Sequence, residues 1–125
     1  MILNLTQHKA SREQLEVGVV DLENEDQDLL RSLLTFDEIP HSEYLMDTCC
    51  GILELVKKYN PNKVMIGGFP PLMTVLETAL CIEGIEPLYA FSKRMVREDG
   101  EGKKVYFKHI GFTKSYVWDN KDGNK

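Results

Sequence analysis

Three cysteines, Cys49, Cys50 and Cys81, with no C-x-x-C pair, are too few and too oddly spaced for a disulfide framework or a zinc site. They are expected to be reduced residues of a core. No apolar run approaches the roughly 20 residues that span a bilayer. Met1 leads into Ile2-Leu3-Asn4-Leu5 with neither a basic start nor a small-residue cleavage site, so a cytoplasmic chain without membrane contact is expected. Positive charge is scarce too. Against 20 Asp and Glu there are 15 Lys and Arg, a net charge of −5, which argues against duplex nucleic acid because a polyphosphate must be neutralised by many cations. Internal repeats and low-complexity segments are missing, which excludes solenoids and arrays.

What is present is a 125-residue chain that is 42% hydrophobic, enough for one modest core. The expected organisation is one domain over residues 1–118 and a polar tail over residues 119–125. Charge is unevenly spread. Between Glu13 and Glu54 twelve acidic residues stand against Arg31 alone, a local balance of −11, whereas Lys93 to Lys114 holds seven basic and three acidic residues, or +4. Two solvated faces would account for this, and the basic end would equally suit a small anionic ligand.

Hydrophobic periodicity sets the expected elements. Ile2-Leu3-Asn4-Leu5-Thr6 reads as a first strand, and Ser11 with Gln14 three residues on forms a capping box for a short helix. Gly18 weakens that helix, and the aliphatic run Val17, Val19, Val20 and Leu22 suits a second strand. Asn24 or Asp26 is expected to cap a helix with Leu29, Leu30, Leu33 and Leu34 on one face. A longer helix starts at Ser42, carries Leu45, Cys49, Ile52, Leu53, Val56 and Tyr59 at the 3.6-residue period, and stops at Asn60-Pro61. Lys63 to Ile66 is a buried-strand pattern that runs into Gly67-Gly68. Pro70-Pro71 then opens a helix that Gly84 closes. Pro87 to Phe91 is the next strand, continuing through Met95 and Val96 to the turn Asp99 to Gly102, where Lys103 to Ile110 returns as an antiparallel partner. Strands alternating with helices give an α/β domain with a mostly parallel sheet and a C-terminal antiparallel hairpin.

Ligands of open α/β sheets bind beyond the carboxyl ends of the parallel strands. Three segments reach that edge: Thr6, Gln7 and His8; Gly67, Gly68 and Phe69; and Ser92, Lys93 and Arg94. They bring hydroxyls, an amide, an imidazole, accessible backbone and two cations, a set suited to phosphate or ribose. The glycine pair lacks both the G-x-G-x-x-G and the P-loop spacing, and serves a tight turn equally well. His8 is the candidate for proton transfer, because an imidazole titrates near neutrality. His41 and His109 are too far apart in the pattern to join it in a three-histidine metal site, and no motif calls for a metal or a cofactor. Cys49 and Cys50 have no evident activating base.

The segments Asn4-Leu5-Thr6-Gln7-His8, Ile66-Gly67-Gly68-x-Pro70-x-Leu72, Leu76-Glu77-x-Ala79-Leu80 and Gly84-Ile85-x-Pro87-Leu88-Tyr89-Ala90-Phe91-Ser92-x-Arg94 resemble a family of small, largely uncharacterised bacterial and phage proteins over roughly residues 1–112. The layout is more distantly similar to small CRISPR-associated proteins of the CARF type, which include ring nucleases that cleave cyclic oligoadenylate messengers. That resemblance implies a Rossmann-like, CARF-like fold. It further implies a homodimer binding a cyclic oligonucleotide through Gln7, His8, Gly67, Gly68, Ser92 and Arg94. Cleavage without metal would use a ribose 2′-hydroxyl, with Arg94 or Lys93 stabilising the phosphorane and His8 moving a proton. The function expected is therefore binding of a nucleotide-type anion, with cleavage as one form of it. A sponge that holds the messenger intact and a small protein-interaction module using the acidic helices are the alternatives.

Overall fold

In the computed structural model, which describes residues 1–120, β1 (Ile2–Asn4) leads through α1 (Arg12–Glu16) to β2 (Val19–Val20). Two helices, α2 (Asn24–Leu34) and α3 (Ser42–Tyr59), carry the chain back to β3 (Lys63–Ile66), and α4 (Pro70–Ile82) connects to β4 (Glu86–Asp99). The hairpin strand β5 (Gly102–Lys114) and a short α5 (Tyr116–Asp119) follow. Residues 121–125 of the expected tail lie outside the described residues. The sheet is five-stranded and mixed, in the order β2-β1-β3-β4-β5. Neighbours are parallel up to β4, and β5 is antiparallel to it.

Alternation along the short strands decides what each face buries. Leu3, Leu5, Val64 and Ile66 point to one face, where α2, α3 and α4 pack side by side with Leu30, Leu34, Cys49, Ile52, Val56, Leu72, Leu76 and Leu80. Full burial of such Leu, Ile and Val side chains contributes roughly 1.5 to 3 kcal/mol each before entropy is counted. Cys49 sits in this core, and burial pushes its thiol up to about 11, with the neighbouring Cys50 adding to the shift. It stays a neutral packing group. The other face carries Ile2, Asn4, Met65 and Leu88 in register and is bordered by α1, no residue of which is buried.

The helix termini follow local chemistry, with one correction. Ser11 and Gln14 form the expected reciprocal cap of α1. Pro70 and Pro71 occupy the first positions of α4, and Gly84 follows its last turn at φ +76°. At α2, neither Asn24 nor Asp26 caps: Glu23 holds the cap position and makes no side-chain cap bond. Asp26 turns inward instead. Its carboxylate accepts hydrogen bonds from the Tyr59 hydroxyl and, at 2.9 Å, from Lys58 Nζ, while the Tyr59 oxygen accepts the Glu23 N–H at 3.0 Å. The start of α2 is thus pinned to the end of α3.

These hydrogen bonds, Tyr59 first and Lys58 second, hold the Asp26 carboxyl below the usual aspartate range. A carboxyl lowered in the folded state adds stability above its unfolded value, and that contribution disappears as pH falls through the folded value. Thermal melts across the acid range should therefore show Asp26→Asn losing part of the wild-type fall in melting temperature on acidification. Equal acid dependence in both proteins would show that the cluster does not bear on stability.

Candidate functional site

The strand order places a reversal at β1. The chain leaves β1 for β2 on one side and returns to β3 on the other, so the segments that follow β1 and β3 part and leave a crevice between them. A cavity of about 470 Å³ opens there. Thr6, Gln7, His8 and Lys9 form one wall, Ile66, Gly67 and Gly68 another, and Gln14, Met65, Tyr89 and Ala90 complete it.

One buried side chain organises the first wall. Asn4, only 4% exposed, donates to the His8 carbonyl and to Asp21 Oδ1, both at 2.8 Å. Its own oxygen accepts from the Thr6 N–H at 2.9 Å and the Thr6 hydroxyl at 2.8 Å. Asp21 in turn accepts the Ala10 N–H at 3.0 Å. An amide with both ends satisfied in this way fixes the turn from Leu5 to Ala10 against β2. The same bonds commit the Thr6 hydroxyl, so it is not free to grip a ligand. Gln7 is half committed: its Nε2 donates to the Leu34 carbonyl at the end of α2, 3.1 Å away.

The second wall is shaped by glycine. Gly68 has φ +151°, a conformation that side-chain-bearing residues rarely adopt. Gly67 faces Thr6, whose Cγ2 would lie 3.6 Å from an added Cβ. The start of α4 contributes less than its position promises. Pro70 and Pro71 have no N–H, and the N–H groups of Leu72 and Met73 both bond the Phe69 carbonyl at 3.0 Å. Phe69 itself packs on Phe36, ring centres 5.3 Å apart, and does not line the cavity.

The third segment does not reach the crevice edge expected of it, because β4 runs on through it as the hairpin reading requires. Ser92, Lys93 and Arg94 lie inside β4, paired with His109, Lys108 and Phe107, and none of them lines the cavity. Alternation puts Ser92 and Arg94 on the same side of the strand as Ala90 and Lys93 on the opposite side; Arg94 is about 13 Å of strand beyond Ala90. The cation at the cavity is Lys9, which sequence reasoning passed over because a lone lysine after a histidine has no motif. Tyr89, also unforeseen, has its phenol pushed up to about 12 by burial and by the carboxylate of Glu77, so it stays protonated at neutral pH.

With these commitments made, the groups left open to a ligand are the His8 ring, the Lys9 ammonium, the Gln14 amide nitrogen, the remaining oxygen of Gln7 and the exposed backbone of Gly68. Among the described residues no carboxylate lines the cavity, although the chain is acidic overall. Among the described residues no cluster of His, Cys, Asp and Glu has the geometry to hold a metal ion, and no helix is long and apolar enough to cross a membrane.

A family model described as the Uncharacterized protein MJ1673 family matches residues 1–113. The chain belongs to that family. The match begins before β1 and ends one residue short of the end of β5, so it takes in both walls of the crevice and nearly all of the hairpin. No curated protein and no solved structure matches the chain.

Proposed function

We propose that the chain binds a nucleotide-type anion in the crevice between β1 and β3. The observation that carries this reading is the composition of the cavity: among the described residues it is lined by donors and one cation, by apolar Met65 and Ile66 and by Tyr89, and by no acidic side chain in an acidic protein. Such a surface favours a phosphate at Lys9 and Gly68 with a flat, less polar group toward Tyr89. A volume of about 470 Å³ suits a ligand of mononucleotide scale. The strand order β2-β1-β3-β4-β5, with its reversal at the crevice, supports a Rossmann-like description of the fold.

Cleavage of a cyclic oligonucleotide is the catalytic form of the same reading, and it rests on His8, whose exposed ring stands at the cavity. In that form Lys9, rather than Arg94, is the cation beside the phosphate. Calorimetric titration with adenosine mono- and triphosphates and with cyclic oligoadenylates, followed by separation of products, tests both forms. Lys9→Ala should weaken binding about tenfold, and His8→Ala should weaken it less while slowing any turnover by about a hundredfold. An unaltered affinity in folded Lys9→Ala would remove the phosphate contact. Capture of the cyclic ligand without products would leave the sponge reading.

A further inference from the structure

The hairpin reaches well beyond the crevice and the core. Among the described residues, only Glu86 to Tyr89 of β4 pair with β3, from Ser92 to Asp99 the strand pairs with β5 alone, and β5 has no second neighbour. A register shift between Phe91 and Ser92 marks where this ribbon leaves the body of the sheet. It extends eight residue pairs, about 25 Å at the usual rise of a strand. A two-stranded ribbon has no interior, and alone in water it is marginal.

Both faces of the arm carry apolar side chains. Phe107, Val96 and Val105 share one face, with Phe107 69% and Val96 51% exposed. The opposite face holds Met95 and Tyr106 with Lys93, Lys108, Arg97 and Lys104 around them. Lys104 is paired with Asp99 and Lys103 with Glu98, while Lys93, Arg94, Arg97 and Lys108 form no ion pair among the described residues. The arm is therefore basic, apolar and uncovered.

The opposite edge of the sheet has the complementary character. Across α1, β2 and the start of α2, Glu13, Glu16, Glu23, Glu25 and Asp28 are exposed, and between them stand Leu15, Val17, Val20 and Leu29, also exposed. Glu13 and Glu25 have no ion pair among the described residues. Apolar groups ringed by one sign of charge at each edge match in kind and oppose in sign.

We propose that the arm of one copy docks face-on against the α1–β2–α2 surface of a second copy, two such contacts closing a two-fold dimer. This names a surface for the homodimer expected from the sequence, and it does not depend on the ligand reading. Reciprocal contacts of this kind bury both uncovered patches of both copies, as closed symmetry requires. Lysines along β5 discourage strand-to-strand addition at its open edge, which leaves the faces as the means of contact. A nucleic acid is the less favoured occupant, since a polyanion on the arm would lie beside a body that is acidic overall.

Sedimentation of the full chain over a concentration series should give a dimer at micromolar concentration that dissociates as salt is raised. Arg97→Glu combined with Lys108→Glu should weaken association at least tenfold, and so should Glu13→Lys combined with Glu25→Lys. Mixing the two variants should restore a one-to-one dimer, because the reversed arm then meets the reversed body and the unaltered arm meets the unaltered body, so both contacts are again complementary. Phe107→Ser, which leaves the charges in place, should also weaken association. Each variant should keep the wild-type circular dichroism spectrum and unfold cooperatively, since none of these residues belongs to the core. A wild-type monomer at low salt, or a dimer indifferent to both charge reversals, would overturn the proposal. So would tight binding of a single-stranded RNA oligonucleotide that the arm variant loses, which would assign the arm to a polyanion.

Discussion

Asn4→Ala should destabilise the protein by about 2 to 4 kcal/mol and abolish binding at the crevice even under conditions where the variant is still folded. The side chain is buried, and each of its polar atoms is used: the His8 carbonyl, Asp21 and both donors of Thr6 lose their partner together. Alanine cannot satisfy any of them, and water has little access to a site that is only 4% exposed. The turn that presents His8 and Lys9 would then lose its link to β2 through Asp21. Chemical denaturation reads the stability and titration with nucleotide reads the site. A loss near that of an ordinary surface substitution would mean that the turn is held by something other than Asn4.

The two glycines after β3 should respond differently to the same change. Gly68→Ala forces a side chain onto φ +151° and should cost about 1 to 3 kcal/mol, because alanine is strained there whatever the space around it. Gly67→Ala meets nothing closer than Thr6 Cγ2 at 3.6 Å, an ordinary contact, so its stability should change little. Its methyl group would still narrow the cavity wall facing Thr6 and should lower affinity. Equal destabilisation in the two variants would contradict the backbone assignment at Gly68.

Much of the framework was legible because it rests on local rules. The 3.6-residue apolar period over Leu45 to Tyr59, the proline pair at 70 and 71, and the capping box at Ser11 each report a neighbourhood of a few residues. Where tertiary partners decide, the reading stopped short. Asp26 is as good a cap as Asn24 by type, and only the approach of Tyr59 and Lys58 from α3, more than thirty positions away, draws it inward. The continuation of β4 through Met95 and Val96 and its return were legible, but not that this stretch leaves β3 behind after Tyr89 and so carries Ser92, Lys93 and Arg94 away from the cavity.

The site was legible in position and less so in its members. Thr6, Gln7, His8, Gly67 and Gly68 line the crevice because strand ends are visible as changes of pattern. Which of their atoms are free was not visible. Thr6 and Gln7 have the chemistry of ligand contacts, and yet their bonds to Asn4 and to the Leu34 carbonyl build the wall instead. Phe69 has the chemistry of a stacking partner and packs on Phe36. Lys9, Gln14 and Tyr89 reach the cavity from segments with no motif, and only folding brings them together.

Entry of an anion into the crevice is tested most directly by mapping backbone amide shifts by NMR during titration with adenosine monophosphate and with a cyclic oligoadenylate. The largest shifts are expected at Thr6 through Lys9 and at Gly67 and Gly68, with the arm from Ser92 to His109 unaffected by the mononucleotide. Shifts confined to the arm, or none at saturating ligand, would contradict it.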